Sequence, residues 1–449
     1  MGQNSDNKKI NAMPTRALFV YMLTKDIPLI PAIMDLVDNC SDGAKNLRGE
    51  KSLEGLWVRI SISPEEICIS DNCGGFTAET ARKYAFRFGR ATGAPSITHS
   101  IGQFGVGMKR ALFKLGTAFR VESTTDSSRF VVDVDVDKWV DEPDPWQFKF
   151  KEVKEDLKNV PEENRGTIIA VKPLRKEVSR EFGLGNFMSQ LKAEIQSHLQ
   201  MPISRGLSVT LNGIHLVSKP LMVFNDARIA PAFLEKEYPK GEKKAVHVRL
   251  YCGVGQSTNV AAAGWHVFCN GRLILEGDKS SVTGWGEKGE TNIPAYHPHF
   301  NYFRGFAFFD SDDPGRLPWN TTKTGLNIDS PVYRSVLEDM VRLMQPVIGF
   351  LYALASEKSE TEAGELSPLE QIIDRSPLVP IESACTREFF ETPPVIKKRI
   401  PTGPPVQLIT SYYRPVDEAT KVKAKLGARS WRAVGEKTFD YFYKAECDE

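Results

Sequence analysis

IPAIMDLVDNCSDGAKN, Ile30 to Asn46, sets its apolar residues Ile30, Ile33, Met34 and Val37 at the spacing of one helical face. Asp35, Asn39 and Asp42 stand at i, i+4 and i+7, so they project together from another side. Such a helix buries one stripe and offers carboxylate and amide oxygens along the other. Those groups suit hard-cation chemistry: an amide oxygen can ligate Mg²⁺ together with substrate phosphates, and a carboxylate can orient or deprotonate a water. An amphipathic helix with a solvated acidic face has the same pattern.

Downstream, Val58, Ile60 and Ile62 alternate with polar residues, Pro64 to Glu66 turns the chain, and Ile67 to Asp71 reads as a second strand. Asp71 shares strand parity with Ile67 and Ile69, which places its carboxylate on the face those residues bury. A buried carboxylate needs donors, and the exocyclic amine of a purine is one. Gly74 and Gly75 would let a flat ring approach the backbone. A plain turn closing the strand would also read DNCGG.

The third segment, SIGQFGVGMKRA, carries Gly102, Gly105 and Gly107 around Val106, then Lys109, and runs into a helical stretch from Met108 to Leu115. Glycines here would let successive N–H groups ring phosphate oxygens at a helix N-terminus. The spacing matches neither the GxxxxGK loop of P-loop NTPases nor the GxGxxG of dinucleotide-binding folds. The preceding Thr77 to Ser100, with Arg82, Lys83, Arg87 and Arg90 and with Gly89 and Gly93, fits a lid over phosphates or a solvated basic helix and loop.

Strands at Ala118–Ser123, Arg129–Val136 and Thr167–Val171 and a helix at Asn186–Leu199 close a first α+β domain over 1–200. A second, 201–356, has strands near Leu207–Leu211, Ala245–Tyr251, Gly264–Cys269 and Arg304–Phe309, then a helix from about Ser330 to Ser356. The stretch 357–405 shifts to Glu, Ser, Thr and Pro and reads as a linker or extended segment. Residues 406–449 regain helical character and aromatics, Trp431, Phe439, Tyr441, Phe442 and Tyr443 among them. The length of 449 residues exceeds one ordinary core, and a net charge of +1 gives no global attraction to nucleic acid or membrane. Ala17 to Val37 is apolar, but Lys25, Asp26, Pro28, Pro31 and Asp35 interrupt it, so no bilayer span is expected. Seven cysteines without zinc-type spacing imply reduced thiols in a cytoplasm. His297 and His299 in YHPHF lack acidic or cysteine neighbours, which favours a structural role over metal binding.

The three segments, in this order and with these gaps, resemble the Bergerat-fold (GHKL) ATPases, the superfamily of gyrase, heat-shock chaperones, histidine kinases and MutL. The resemblance covers about residues 15 to 355. It implies an α/β sandwich that binds ATP and Mg²⁺. It assigns Asp35 as the catalytic acid-base residue, Asn39 as the Mg²⁺ ligand, Asp42 as a further nucleotide-site acid, Asp71 and Gly75 to adenine, and Gly102, Gly105, Val106 and Gly107 to phosphate. Thr167, in RGTIIAV, matches the threonine that supports the adenine contact. Two departures stand out: Asp35 occupies a position that is usually Glu, and Cys73 replaces the first glycine of the second motif.

IGQFGVGMKRA looks most like the MORC proteins and their bacterial relatives, which implies a phosphate contact for Lys109. MutL-, MORC- and gyrase-type ATPases continue into a transducer domain with a ribosomal-protein-like fold, whose loop lysine reaches the γ-phosphate. LPWNTTKTGLN, Leu317 to Asn327, resembles that loop and makes Lys323 the second catalytic candidate. The resemblance further implies a homodimer that closes on ATP, a slow clamp acting on DNA in repair or phage defence. A chaperone-like scaffold that gates protein partners is the other class. The basic runs Lys397–Ile400 and Lys421–Arg432 lean towards nucleic acid.

Overall fold

The computed structural model describes residues 14–49, 51–88, 101, 106–142, 146–241, 244–286, 293–320, 323–361, 365–391 and 413–447. The chain divides into two compact units, Met1–Val395 and Ile396–Glu449.

The first unit opens with α1 (Arg16–Lys25), whose first turn is capped by the Thr15 hydroxyl, and α2 (Leu29–Arg48). Proline is tolerated in the first turn of α2 because those N–H groups have no intrahelical acceptor. Gly49, at φ 58°, ends the helix by returning its N–H to the Lys45 carbonyl. Eight strands follow: β1 (Trp57–Ile62), β2 (Ile67–Asp71), β3 (Ala118–Thr124), β4 (Ser128–Asp135), β5 (Phe150–Glu155), β6 (Gly166–Val171), β7 (Ser208–Leu211) and β8 (Ile214–Leu216). They form one sheet in the order β5-β4-β3-β6-β2-β1-β7-β8. Every neighbouring pair is antiparallel except β1 with β7.

Alternation decides the faces of this sheet. Val58, Ile60, Ile69, Phe119, Val121, Ile169 and Val171 point into a core shared with α2, α3 (Gly107–Leu115) and α4 (Gly185–His198). The opposite face carries Arg120, Glu122, Arg129 and Glu152 in a ladder of ion pairs. The strand expected at Leu207–Leu211 is β7, and its parallel pairing with β1 extends the first sheet past residue 200.

β9 (Met222–Phe224), β10 (Ala232–Tyr238), β11 (Val246–Val254), β12 (Gly264–Cys269), β13 (Arg272–Asp278) and β14 (Phe303–Asp310) follow. All but β9 form a second sheet in the order β10-β11-β14-β12-β13, with β12 and β14 parallel. The long helix α5 (Pro331–Glu360) covers one face, packing Val336, Met340, Met344 and Val347 against Val248, Leu250, Val267 and Phe309. Phe268, Phe306 and Phe308 on the other face meet Val223 and Ile381.

Part of the stretch read as a linker is folded. Helix α6 (Pro368–Arg375), held by a Ser367/Glu370 capping box, buries Leu369 and Ile373. The short β15 (Leu378–Pro380) pairs with β9. A few apolar anchors within a Ser-, Glu- and Pro-rich run are enough to dock it on the second sheet.

The second unit contains α7 (Val416–Lys425) and α8 (Trp431–Glu446). Phe439, Tyr441, Phe442 and Tyr443 on α8 are exposed.

Candidate functional site

The acidic side of α2 is not a solvated face. Asp35, Asp38 and Asp42 are 3%, 1% and 4% exposed, whereas Asn39 between them is open. Burying three carboxylates on one helix requires cations and donors around them.

The N-terminal turn of α3 lies over Asp35. A Cβ at Gly107 would sit 3.2 Å from the Asp35 carboxyl carbon, so the absence of a side chain permits this approach. Arg110, three residues on, faces the same way, and its Nη2 donates to Asp35 Oδ2 at 2.6 Å. Lys109 points elsewhere: its Nζ donates to the Ala85 carbonyl at 2.7 Å, and burial pulls its pKa down to about 7. The backbone N–H of Ile101 reaches both oxygens of Asp42 at 2.9 Å, so this carboxylate fixes the entry to the glycine loop. Gly102 and Gly105 lie outside the described residues, as does the second half of the stretch read as a lid, 89–100.

The second half of the unit supplies two more cations. Lys323 Nζ is 3.3 Å from Asp35 Oδ1 and 3.6 Å from Asp38 Oδ2. Arg272, at the start of β13, pairs its guanidinium with Asp38. Both are buried, Arg272 at 2% and Lys323 at 6% exposure. Burial alone would raise the Asp35 pKa, but Lys323, Arg110 and Arg272 outweigh it and hold the carboxylate below its ordinary value. Burial lowers the pKa of Lys323 despite the opposing charges of Asp35 and Asp42. Burial also brings Arg272 down to about 10.

Asp71 ends β2 almost buried, with its Oδ1 accepting from the N–H of Cys73 at 2.8 Å and of Thr167 at 3.3 Å. Burial raises its pKa, and these donors only partly offset the effect. Gly75 adopts φ +65°, and a Cβ there would come within 2.5 Å of the Thr124 carbonyl and 2.9 Å of the Gly166 carbonyl. Its lack of a side chain therefore serves the close approach of the turn to β3 and β6. Gly166 does the same for β6 against β2: a Cβ would lie 1.9 Å from the Asp71 carbonyl oxygen.

The fold thus brings Asp35 and Gly107 together with Lys323, keeps Asn39 and Asp42 on the same helix as Asp35 and Val106 at the start of α3, and joins Asp71 to Thr167. Asp38, Arg110 and Arg272 belong to the same cluster, and motif reading passed over all three. Asp38 and Arg110 were adjacent to chosen residues, but only the helix phases reveal them; Arg272 has no local signal. A cavity of about 570 Å³ opens at the same junction of the two halves. It is lined by Leu29, Ile30 and Met34 of α2 together with Glu194, Arg272, Glu276 and Thr324, and not by Asp35, Asp38 or Asp42. His297 and His299 are exposed and lie against each other with their rings tilted by 34°, ring centroids 3.7 Å apart. Among the described residues no group of three His, Cys, Asp or Glu side chains is placed to hold a metal, and no single helix is long and apolar enough to cross a membrane. None of the seven cysteines is disulfide-bonded.

A buried acid bracketed by cations, an exposed amide beside it and a glycine-started helix N-terminus are groups with the chemistry to bind phosphate and to orient a water. No curated protein matches the chain. Residues 27–167, which carry Asp35, Asn39, Asp42, Asp71 and Thr167, match the family model of histidine kinase-, DNA gyrase B- and HSP90-like ATPases, and this match supports an ATP-binding ATPase domain of that superfamily over this part of the chain.

Proposed function

We propose that the protein is a slow, Mg²⁺-dependent ATPase in which the nucleotide switches the relation between its two α+β halves, the second acting as a transducer. The observation that carries this reading is the Lys323–Asp35 pair: a lysine of the second half sits on the acid of the first at 3.3 Å. A γ-phosphate is the anion that would compete for that lysine, so the contact would differ between ATP and ADP states.

The residues fit magnesium. Asn39 presents an exposed amide, and Mg²⁺ is commonly held by one or two protein oxygens plus phosphate oxygens and water. When bound, the ion would neutralise phosphate charge. Asp35 would orient the attacking water, Asp71 would accept from the adenine amine with Thr167 beside it, and Gly75 would shape that pocket through the turn. The glycine loop and the first turn of α3, including Val106 and Gly107, would cradle the phosphates, with the amine of Lys109 as a neighbouring group drawn from Ala85 and Asp42 holding the loop entry. Asp35 is shorter than Glu and already paired with two cations, which fits slow turnover.

The larger assembly we propose is a MORC- or MutL-like clamp that dimerises on ATP and acts on DNA, in repair or phage defence. Exposed Lys421, Lys425, Arg429 and Arg432 beside exposed Trp431 and Tyr441 favour nucleic acid over a protein scaffold. Nucleotide binding and phosphate release, measured on the full chain with and without Mg²⁺, test the core of this reading. A protein that binds no adenine nucleotide would end it. Steeply salt-dependent DNA binding would support the clamp, while salt-insensitive protein capture would favour the scaffold.

A further inference from the structure

Three cations, Arg110, Lys323 and Arg272, converge on two carboxylates one helical turn apart, Asp35 and Asp38. Their connections are unequal. Arg110 pairs with Asp35 and Arg272 with Asp38, whereas Lys323 alone lies within 4 Å of both acids. Arg110 comes from the same half as the acids, while Lys323 and Arg272 come from the other. Asp38 therefore receives both cations that cross between the halves.

Two further observations set Lys323 apart. Its backbone is held at φ 55°, in the left-handed region that a lysine adopts only when its surroundings impose it. Both carboxylate oxygens of Asp38, like Nε and Nη1 of Arg272, are buried without a hydrogen-bond partner among the described residues, so charge alone and no hydrogen-bond network holds Lys323 at Asp38.

We propose that Asp38 is a positioning residue: it is the resting seat of Lys323 and the fixed anchor of Arg272. In this arrangement Lys323 exchanges between the Asp35/Asp38 seat and the nucleotide's terminal phosphate. The Asp38–Arg272 pair keeps the two halves in register while it does so. The inference rests on the ATPase reading for the destination of Lys323, but not for its seat. No bond is made or broken; the exchange is one of ion-pair partners. It also gives Asp38 a role that its neighbours do not share, since Asp35 would face the water and Asn39 the metal.

The test uses the full chain carrying Asp38→Asn, which keeps the side-chain shape, together with Asp38→Glu and Arg272→Met. Hydrogen exchange read by mass spectrometry, without nucleotide, reports on the segment Leu317–Asn327. Loss of the seat should speed exchange there by about tenfold in Asp38→Asn while leaving β3 and β4 unchanged. In steady-state ATP hydrolysis the same variant should lose about tenfold in kcat with KM within about threefold, and Asp38→Glu should recover most of it. Arg272→Met should loosen the same segment. Exchange in Leu317–Asn327 equal to wild type in Asp38→Asn would overturn the seat. Equal acceleration across the whole unit would also overturn it, by making Asp38 a residue of general stability. If the wild-type protein hydrolyses no ATP, the ATPase reading fails, and the nucleotide-free exchange result still decides the seat.

Discussion

Lys323 and Asp35 are 288 residues apart in the chain and 3.3 Å apart in space, and Arg110 occupies the other oxygen of the same carboxylate. Both oxygens of the candidate catalytic acid are thus engaged by cations, one from each half of the unit. An acid held in this way is ionised but poorly placed to take a proton, and freeing it requires that a competing anion draw a cation off.

Asp35→Asn should leave ATP affinity nearly intact and reduce turnover by about 10²- to 10⁴-fold, the usual weight of a positioned acid or base. It should also lower stability by about 3 kcal/mol, because Arg110 and Lys323 lose a buried counter-charge while Asp38 remains near the lysine. Phosphate release and urea denaturation of the same preparation check both parts. Turnover at the wild-type rate would remove Asp35 from the chemistry.

Asp71→Asn should weaken ATP binding by about 10- to 100-fold with little loss of stability. An amide oxygen can still accept from the Cys73 and Thr167 N–H groups, so the turn is kept, while the other carboxylate oxygen becomes a donor facing an amine. Titration with ATP and with a nucleotide lacking the exocyclic amine separates the two effects. Equal losses for both nucleotides would show that Asp71 does not read the amine.

Gly166 and Gly75 should differ sharply from Gly74. Gly166→Ala places a Cβ on the Asp71 carbonyl and Gly75→Ala one on the Thr124 carbonyl, each at positions only backbone movement can relieve. Each should cost at least about 3 kcal/mol. Gly74→Ala meets only Leu47 at 3.7 Å or more, so its cost should be the roughly 1–2 kcal/mol of the left-handed backbone. Thermal or urea midpoints of the three variants give the order.

Lys109 makes stability depend on pH. Its pKa falls from 10.5 when exposed to about 7 in the fold, because burial disfavours the charged amine. Between those values the unfolded chain binds more protons, so this residue makes stability rise from pH 7 towards 10.5, with its full penalty present below pH 7. Lys109→Met should flatten that slope and stabilise the protein at pH 6 by at most roughly 4–5 kcal/mol. Urea midpoints at pH 6, 7.5 and 9 measure it. A concurrent fall in ATP affinity would add a phosphate role for Lys109, while unchanged affinity would make it purely a tie between α3 and Ala85.

The elements around the site were legible because their signals are local. The apolar spacing of Ile30 to Val37 specifies α2, the alternation of Val58 to Ile62 specifies β1, and the parity of Asp71 with Ile69 places its carboxylate inward. Each depends only on the repeat of a helix or strand. The folded stretch around Leu369 and Ile381 was not legible, since a linker-like composition conceals two anchors whose value lies in the sheet they dock on.

Sequence by itself determined which residues share the acidic face of α2, that Asp71 points inward, and that a lysine loop follows in the second half. Tertiary structure alone decided that the face is buried and which cations balance it. Whether Lys109 or Arg110 meets Asp35 depends on the phase at which α3 packs over α2, which Gly107 sets by close approach. That Asp38 takes Arg272 and shares Lys323 depends on two sheets coming together through segments more than 230 residues apart. Spacing along one element is fixed by backbone geometry, but the pairing of charges between elements is fixed only by the packing that removes them from water.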